Sequence, residues 1–405
     1  MSRAPGRAAF AFIFITVCLD MLALGVIVPV LPTLVVTLEH GDYARAASVT
    51  GIFGLAWAAM QLIFSPVLGV LSDRFGRRPI VLLSNFGMGV DYAAMALAPT
   101  IPWLFVGRLV SGITSASFPT ATAYIADVTP PEKRAARFGM LGAAFGLGFV
   151  VGPAVGGLLG NVSLRLPFWV AGALSLTNAA YGAFVLPESL PLEKRAKVSL
   201  AKASPLGSLE LLWSTPGIGA LAVASFFFFL SQESLPSTFV LYTQFRYHWT
   251  ERITGVALAF FGVASAIVSA FLVGRFVGRL GERGALVLGL VGGSCAFAIF
   301  GLAPSTLWFM TAVPVDAVLG LATPTMQSLM SERIDASAQG RLQGALSSMR
   351  GVTGMIGPIV FTQIFAGSIR EGARVPGATF LVAAGLVVVS LVTVLGASRR
   401  RRNVE

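Results

Sequence analysis

Long apolar runs separated by short polar breaks follow one another along the chain. We count twelve such runs, with approximate limits at residues 8–34, 46–71, 79–98, 102–126, 136–160, 167–186, 217–243, 253–278, 284–302, 306–330, 341–366 and 376–397. A helix needs about 20 residues to cross a bilayer, and each run is near or above that length. The runs lack the period-two alternation of barrel strands. The pattern predicts an all-α integral membrane protein with twelve transmembrane helices.

The composition agrees with this prediction. Hydrophobic residues make up 55% and charged residues 12% of the 405 residues, whereas soluble domains contain about 25% charged residues. The first apolar run follows Arg3 and Arg7, as the core of a signal peptide would. It is longer than such a core and contains Asp20, so we interpret it as the first transmembrane segment.

Positive charge is distributed unevenly between the two sides of the predicted membrane protein. The net charge is +11, and most of the 29 Lys and Arg residues fall in the breaks on one side. Basic residues accumulate on the cytoplasmic side of membrane proteins, so both termini are predicted to be cytoplasmic. This distribution explains the net charge without a nucleic-acid partner.

Cysteine and histidine give no sign of a metal centre or a disulfide framework. Cys18 and Cys295 lie in apolar segments, and His40 and His248 stand alone in predicted outer loops. The sequence also lacks the GxxxxGK[ST] pattern of a phosphate-binding loop. We expect no enzyme activity, no metal and no cofactor. Any energy that the protein uses must come from an ion gradient or from a partner.

An internal repeat relates the two halves of the chain at a constant offset of 205 residues. The offset places Gly69, Arg74 and Gly76 on Gly274, Arg279 and Gly281, and Gly152-Pro153 on Gly357-Pro358. Several separated matches at one offset are hard to obtain by chance, so we infer two related halves.

The repeat predicts the domain organisation. Six predicted helices precede a basic stretch and six follow it. We therefore expect an N-terminal six-helix bundle at 1–186, a cytoplasmic linker at 187–215 and a C-terminal six-helix bundle at 216–405. An even number of helices keeps the two halves in the same orientation, so their pseudo-twofold axis should lie along the membrane normal.

The stretch GVLSDRFGRRP, residues 69–79, concentrates charge in a predicted cytoplasmic turn. Asp73 is its only acid, beside Arg74, Arg77 and Arg78. A solvated basic turn is one interpretation. The second copy, GRFVGRLGERG at 274–284, argues against solvation alone, although Gly278 stands where Asp73 would be.

Several stretches resemble a known family. GVLSDRFGRRP is similar to the loop signature of the major facilitator superfamily, and GAAFGLGFVVGPAVGG (142–157) resembles the glycine-rich fifth-helix motif of its proton-coupled exporters. Further similar stretches are LDMLALGVIVPVLPTL (19–34), AAMQLIFSPVLG (58–69), DYAAMA (91–96), GRLVSGIT (107–114), AYIADVT (123–129) and GRLQG (340–344). Together they resemble the tetracycline/proton antiporter family over nearly the whole chain.

The resemblance implies a fold and a mechanism. The fold is that of the major facilitator superfamily, and the mechanism is alternating access, in which two bundles rock about a central site. The loop signature would then latch the cytoplasmic side. The residues to which the resemblance assigns gating are Gly69, Asp73, Arg74, Gly76, Arg77, Gly152 and Pro153.

Six charged residues fall inside the predicted helices. They are Asp20, Asp91, Arg108, Glu233, Asp316 and Arg350. Each costs about 3 kcal/mol at the bilayer centre on insertion scales, so these groups should face the protein interior, pair with one another or become neutral. For each residue the alternative is a satisfied charge that only holds helices together.

Helical spacing groups some of these charges with other polar residues. Asp316, Gly320, Thr323 and Gln327 fall on one predicted face of the tenth helix, and the offset relates that face to the fourth helix. Arg350 is a possible counter-charge for Asp316. The predicted substrate-cavity residues are Gln61, Arg108, Ser111, Ser115, Gln232, Glu233, Thr323, Gln327 and Arg350.

The resemblance also assigns proton coupling. It implies coupling roles for Asp20 and Asp91, with Arg108 beside them. The family has a further acid on the ninth helix, where this chain has Gly293. Either Asp316 or Glu233 is a candidate substitute, and we assign Asp316 to proton coupling. The departure at Gly293 leaves tetracycline itself open as the substrate.

These observations lead to a functional hypothesis. We expect a monomeric transporter of a bacterial inner membrane that exports small amphipathic molecules in exchange for protons. Transport of a native metabolite or sugar by the same fold is the alternative, and denser polar cavity walls would favour it. A non-transporting receptor or scaffold would carry large soluble domains, which the sequence does not contain.

Overall fold

The computed structural model describes residues 6–115, 117–195, 212, 218–335, 338–370 and 375–402. In these residues the backbone forms α-helices and no β-strand. The helices are α1 (Gly6–Ile27), α2 (Leu31–Leu38), α3 (Tyr43–Phe75), α4 (Arg77–Leu97), α5 (Ile101–Thr114), α6 (Ser117–Val128), α7 (Pro131–Val162), α8 (Leu166–Val185), α9 (Gly219–Gln232), α10 (Ser234–Tyr247), α11 (Glu251–Ile267), α12 (Val273–Leu302), α13 (Thr306–Val318), α14 (Ala322–Ser331), α15 (Gln339–Ser368) and α16 (Ala378–Arg402).

These helices account for the twelve predicted segments. Nine helical stretches of the described chain are long and apolar enough to cross a membrane. The longest, Glu251–Leu302, contains both the eighth and the ninth predicted segments, because the two helices follow each other directly across a kink at Gly281. The fourth segment is divided between α5 and α6, and the seventh between α9 and α10. Each half of those two segments is therefore too short to count as a span by itself.

The first compact unit comprises Met1–Gly41, Ala56–Ser204 and Thr250–Ala259. Within it α1 packs against α7 and α8, and α4 packs against α8. Phe10, Ile13 and Tyr124 belong to its buried apolar core. This core joins α1, α4, α6 and α7, and a smaller one joins Leu68 of α3 with Ile80 of α4.

The second compact unit comprises Asp42–Leu55, Pro205–Trp249 and Phe260–Glu405. Within it α12 packs against α13 and α16, and α9 packs against α16. An aromatic cluster fills part of the interior, with the ring centroids of Phe300 and Phe309 4.7 Å apart and those of Tyr242 and Phe380 5.0 Å apart.

The two units follow the halves of the chain with two exceptions. The start of α3, up to Leu55, belongs to the second unit, and the start of α11, up to Ala259, belongs to the first. The predicted bundle limits at 186 and 216 stay a prediction, and most of the predicted linker, including Lys197 and Lys202, lies outside the described residues.

The repeat is visible in the backbone. Gly76 has φ of +107°, and Gly281, which is 205 residues later, has φ of +69°. A left-handed φ of this kind favours glycine, which has no Cβ to clash. A second correspondence lies in α3 and after α11. Pro66 lies inside α3, and its equivalent at the same offset, Phe271, falls in the π-helical turn Val268–Leu272. Both features weaken the regular α-helical hydrogen bonding.

The glycine-rich motif of α7 allows a close approach to α1. A Cβ added to Gly152 would lie 2.6 Å from Cα of Gly25, whereas one added to Gly146 would meet nothing within 4 Å. We therefore expect Gly152→Ala to destabilise the protein by about 1–3 kcal/mol through overpacking. Gly146→Ala adds the same methyl group to the same helix and should leave stability unchanged. Thermal unfolding in detergent measures both, and equal midpoints for the two variants would contradict the assigned contact.

Candidate functional site

Arg77 is the centre of a charged network at the turn between α3 and α4. Its guanidinium donates to Asp73 Oδ1 at 2.5 Å, to Asp127 Oδ2 at 3.1 Å and to Ser72 Oγ at 3.2 Å. Ser189 Oγ also donates to Asp127 Oδ2 at 3.1 Å. Charge-assisted bonds of this kind are stronger than neutral ones. The turn therefore joins the ends of α3, α4 and α6 with the chain after α8.

Glu188 binds the start of α4 from that same chain. Its carboxylate accepts the backbone N–H groups of Arg77 at 2.9 Å and Arg78 at 3.3 Å. An anion at a helix N-terminus satisfies free N–H groups and complements the helix dipole. The Arg78 guanidinium donates to the backbone oxygen of Ala183. The sequence analysis did not single out Glu188, and an acid directly after a span was the available signal.

Two predicted gating residues stand apart from this network. Arg74 is exposed, and its guanidinium lies over the Phe75 ring at 5.2 Å. A Cβ on Gly69 would meet nothing within 4 Å, so no close approach requires that glycine. Of the two arginines to which gating was assigned, only Arg77 contacts the acidic network, and the gating role of Arg74 stays a prediction. Asp73 does pair with an arginine, as expected, and Gly76 adopts its left-handed conformation beside Glu188.

Gly152 and Pro153 lie away from the turn, in the interior of the first unit. Both are buried. Gly152 faces Gly25 of α1, and the backbone oxygen of Pro153 lies close to Gly255 of α11. They are packing residues between helices in this geometry, and their gating role stays a prediction.

Asp20 is enclosed by amide groups. Asn178 on α8 donates through Nδ2 to Asp20 Oδ1 at 2.8 Å and to the backbone oxygen of Thr16 at 2.9 Å. The Asn85 amide on α4, with its nitrogen facing the acid, donates to Oδ1 at 2.5 Å and to Oδ2 at 3.1 Å. Asp20 is 1% exposed. The sequence analysis missed both asparagines, although each lies in an apolar run where a polar amide needs a partner.

Asp91 and Arg108 form a buried ion pair. Arg108 Nη2 lies 3.8 Å from Asp91 Oδ2, and the side chain of Asp91 has no exposed surface. Arg108 Nη2 also contacts Met95 Sδ at 3.3 Å and Ser111 Oγ at 3.5 Å. The structure thus brings together three predicted site residues, Asp91, Arg108 and Ser111. Among the described residues, two further predicted polar residues of this unit make no side-chain hydrogen bond to the ion pair. Ser115 Oγ donates to the backbone oxygen of Ser111 at 2.6 Å, and Gln61 is half-buried on α3.

Asp316 and Arg350 do not pair. The Arg350 guanidinium lies over the Phe229 ring at 4.6 Å, in cation–π geometry. Asp316 Oδ1 is buried without a hydrogen-bond partner in the described part of the chain. The expected counter-charge is therefore wrong, because the ring of Phe229 occupies the face of Arg350.

The predicted polar stripe of the tenth segment is interrupted. It assumes one continuous α-helix, but the 3₁₀ turn Leu319–Leu321 separates α13 from α14. Each 3₁₀ residue advances 120° instead of 100°, so three of them rotate the later face by about 60°. Thr323 and Gln327 are half-buried on α14, on the far side of this turn from Asp316, and their role in a substrate cavity stays a prediction.

Glu233 lies at the break between α9 and α10. Its side chain packs against Gly357 of α15, where an added Cβ would overlap it. Gln232 precedes it and is half-buried. At Gly293, an added Cβ would overlap the side chain of Leu319. An acid at that position would need Leu319 to move, so the packing of this chain does not suit one there.

The geometry changes the expected coupling between Asp316 and Arg350. Since Asp316 and Arg350 do not pair with each other, Asp316→Asn and Arg350→Gln should have additive effects on stability, within about 0.5 kcal/mol. A double-mutant cycle on thermal unfolding in detergent measures this. Partial recovery in the double variant would mean that the two charges do interact.

Helices long enough to cross a membrane, in two repeat-related units with buried acids, define a multi-pass membrane transporter. Residues 13–358 match the family model described as Major Facilitator Superfamily. Tetracycline resistance protein, class C, of Escherichia coli is 37% identical over 379 residues, which are 93% of either chain. Tetracycline resistance protein, class E, of the same organism is 35% identical over 382 residues, 93% of this chain and 92% of the relative.

Solved structures agree on the fold. A bacterial homolog of the human lysosomal transporter Spinster, in an inward-facing and unoccupied conformation, has a TM-score of 0.80 at 17% identity, over 98% of either chain. The chain belongs to the major facilitator superfamily. The predicted fold class is confirmed, and the protein is a transporter of small molecules rather than an enzyme.

Proposed function

We propose that this protein exports small amphipathic drugs, tetracycline among them, in exchange for protons. The main support is the 37% identity to a tetracycline resistance protein over 93% of either chain. Acids kept inside the first unit, Asp20 and Asp91, are the proposed proton-binding groups. Asp316 is the proposed third acid, since one of its carboxyl oxygens, Oδ1, is buried on α13. The proton gradient supplies the energy, with no cofactor.

The proposed mechanism is alternating access. In each unit by itself, polar side chains are available for substrate: Gln61, Arg108, Ser111 and Ser115 in the first, and Gln232, Glu233, Thr323, Gln327 and Arg350 in the second. The network around Arg77 is the proposed cytoplasmic gate contact, because it joins several helix ends through charge-assisted bonds. We place the protein in a bacterial inner membrane as a monomer with both termini in the cytoplasm.

The test is transport by the purified protein. In proteoliposomes that carry a proton gradient, we expect tetracycline to accumulate against its own gradient and to leak back when an uncoupler is added. A panel of dyes, sugars and nucleosides run in parallel defines the substrate class. Cells that express the protein should tolerate more tetracycline than cells that express Asp91→Asn.

The outcomes separate the alternatives. Uptake of a sugar or another metabolite, with no response to tetracycline or dyes, would replace drug export by native-metabolite transport. Gradient-driven transport that an uncoupler does not affect would remove the proton from the mechanism.

A further inference from the structure

Further buried polar side chains lie on the helices that carry Asp20 and its two amide partners. Thr16, Ser84, Asn85, Ser175 and Asn178 are each 1% exposed or less. They lie on three helices, α1, α4 and α8, of which α8 packs against both of the others. Asn85 and Asn178 are neutral donors, so they can stabilise a charged carboxylate without a permanent counter-charge. The Asp91–Arg108 pair differs in this respect, because there a cation compensates the acid.

Some oxygen atoms of these buried residues accept no hydrogen bond within the described chain. Asn178 Oδ1, Thr16 Oγ1, Ser84 Oγ and Ser175 Oγ have no hydrogen-bond partner among the described residues. A protonated carboxyl is a donor as well as an acceptor, and a buried donor needs a partner. Asn178 carries both functions on one amide, next to the acid. Its Nδ2–H donates to the charged carboxylate. After a rotation of the amide, its Oδ1 can accept the hydrogen bond of the protonated carboxyl.

We propose that Asn178 and Asn85 are positioning residues for proton binding at Asp20. Their N–H groups hold the carboxylate while it is charged, and Asn178 Oδ1 accepts the hydrogen bond of the carboxyl once it is protonated. The step transfers one proton to an Asp20 oxygen and releases the same proton later, with no other bond made or broken. The inference rests on the proposed proton coupling and names the groups that tune it.

Other titratable and charged groups lie on the helices around Asp20. Tyr92 on α4 is buried and lies within electrostatic range of Asp20, Asp91 and Arg108. Further ones on the surrounding helices are Cys18 on α1, Tyr124 on α6, Arg137 on α7 and Tyr181 on α8. The charged groups at the ends of these helices are Arg77 and Arg78 on α4, Asp127 on α6, and Glu132, Lys133 and Arg134 on α7. A substitution at Asn178 removes none of these groups, so they form a constant background for the comparison.

The experiment follows the carboxyl group directly. Infrared difference spectra of the purified protein are recorded during a pH titration in detergent, and Asp20→Asn identifies the band of the protonated Asp20 carboxyl. In Asn178→Leu we expect this band to change in frequency, because its acceptor is lost. We also expect its titration midpoint to move to higher pH by about one unit, a tenfold change in proton affinity, because the charge-assisted bond lost by the carboxylate is stronger than the neutral bond lost by the protonated carboxyl.

A matched control and a milder variant accompany the measurement. Asn161→Leu makes the same change at an exposed asparagine on α7 and should leave the Asp20 band unchanged. If Asn178→Leu does not fold, Asn178→Ala and Asn85→Ala each remove the amide donor without adding an apolar branch. They should move the midpoint in the same direction.

Two results would overturn the inference. One is an Asp20 band with the same frequency and midpoint in wild type and in the folded asparagine variants. The other is a wild-type spectrum in which no band depends on Asp20 between pH 4 and about 10, a range that covers ordinary and strongly perturbed carboxyl groups. The titration requires no drug. A failure to transport tetracycline would therefore contradict the proposed substrate, and the infrared titration would still test the roles of Asn178 and Asn85 independently.

Discussion

Arg108→Gln is expected to remove most of the transport activity and a large part of the folded protein. Arg108 is the cation paired with Asp91, and the side chain of Asp91 is fully buried. Removing one partner of a buried ion pair costs about 3–5 kcal/mol, because the other charge stays in a low-dielectric interior. This is a large fraction of the roughly 5–15 kcal/mol by which proteins are stable. The yield of monodisperse protein and its thermal midpoint measure the effect.

The double variant separates stability from function. Asp91→Asn together with Arg108→Gln leaves neither charge unpaired, so it should recover much of the folded protein. It should not recover proton-coupled transport, because the acid is gone. Arg252→Gln, at an exposed arginine of α11, is the control and should behave as wild type. A wild-type midpoint for Arg108→Gln would show that Asp91 is already neutral without its partner.

Arg77→Gln is expected to reduce transport at least tenfold while most of the protein still folds. Its guanidinium joins Asp73, Asp127 and Ser72. The side chain of Asp73 is 49% exposed and that of Asp127 is 23% exposed, so solvent screens the first contact more strongly. We estimate the total at about 1–3 kcal/mol. The measurement is the initial rate of gradient-driven uptake in proteoliposomes at matched protein content.

Two further arginine variants test whether geometry or charge matters. Arg77→Lys keeps the charge but lacks the planar fork that reaches several acceptors, so it should restore little of the lost rate. Arg74→Gln removes an equal charge from an exposed residue outside the network and should have a small effect. Equal losses at Arg74 and Arg77 would return the turn to a solvated basic loop.

The membrane-spanning pattern and the repeat were predictable from the sequence because they depend on the residue types along the chain and not on contacts between distant residues. Apolar runs of sufficient length specify helices in a bilayer whatever their neighbours are. The match of Gly76 with Gly281 concerns backbone conformation, and both glycines have the left-handed φ that the repeat suggests. Boundaries within a span were less accessible. The 3₁₀ turn Leu319–Leu321 has no capping side chain at its start, and the sequence analysis did not use its local signal, Pro324, which has no N–H to donate to the carbonyl of Gly320.

The partners of the charged residues were predicted less well than the residues themselves. Cost of burial identifies Asp20, Asp91 and Arg350 as groups that need a partner, but it does not say which. Helical spacing relates residues on one helix, whereas Asp20 is held by amides from α4 and α8. Arg350 was matched to an acid because opposite charges attract, and an aromatic ring meets it instead.

Pro66 in α3 and the π-helical turn Val268–Leu272 give two repeat-related helices the same mechanical property by different chemistry. Proline removes one N–H from the helix, and a π turn displaces the bonds of five residues. A helix resists bending through its regular hydrogen bonds, so each of these helices is compliant at that point and stiff on either side. Elastic strain applied to either helix will concentrate there. The two halves of the chain have therefore kept an equivalent point of compliance where their side chains have diverged.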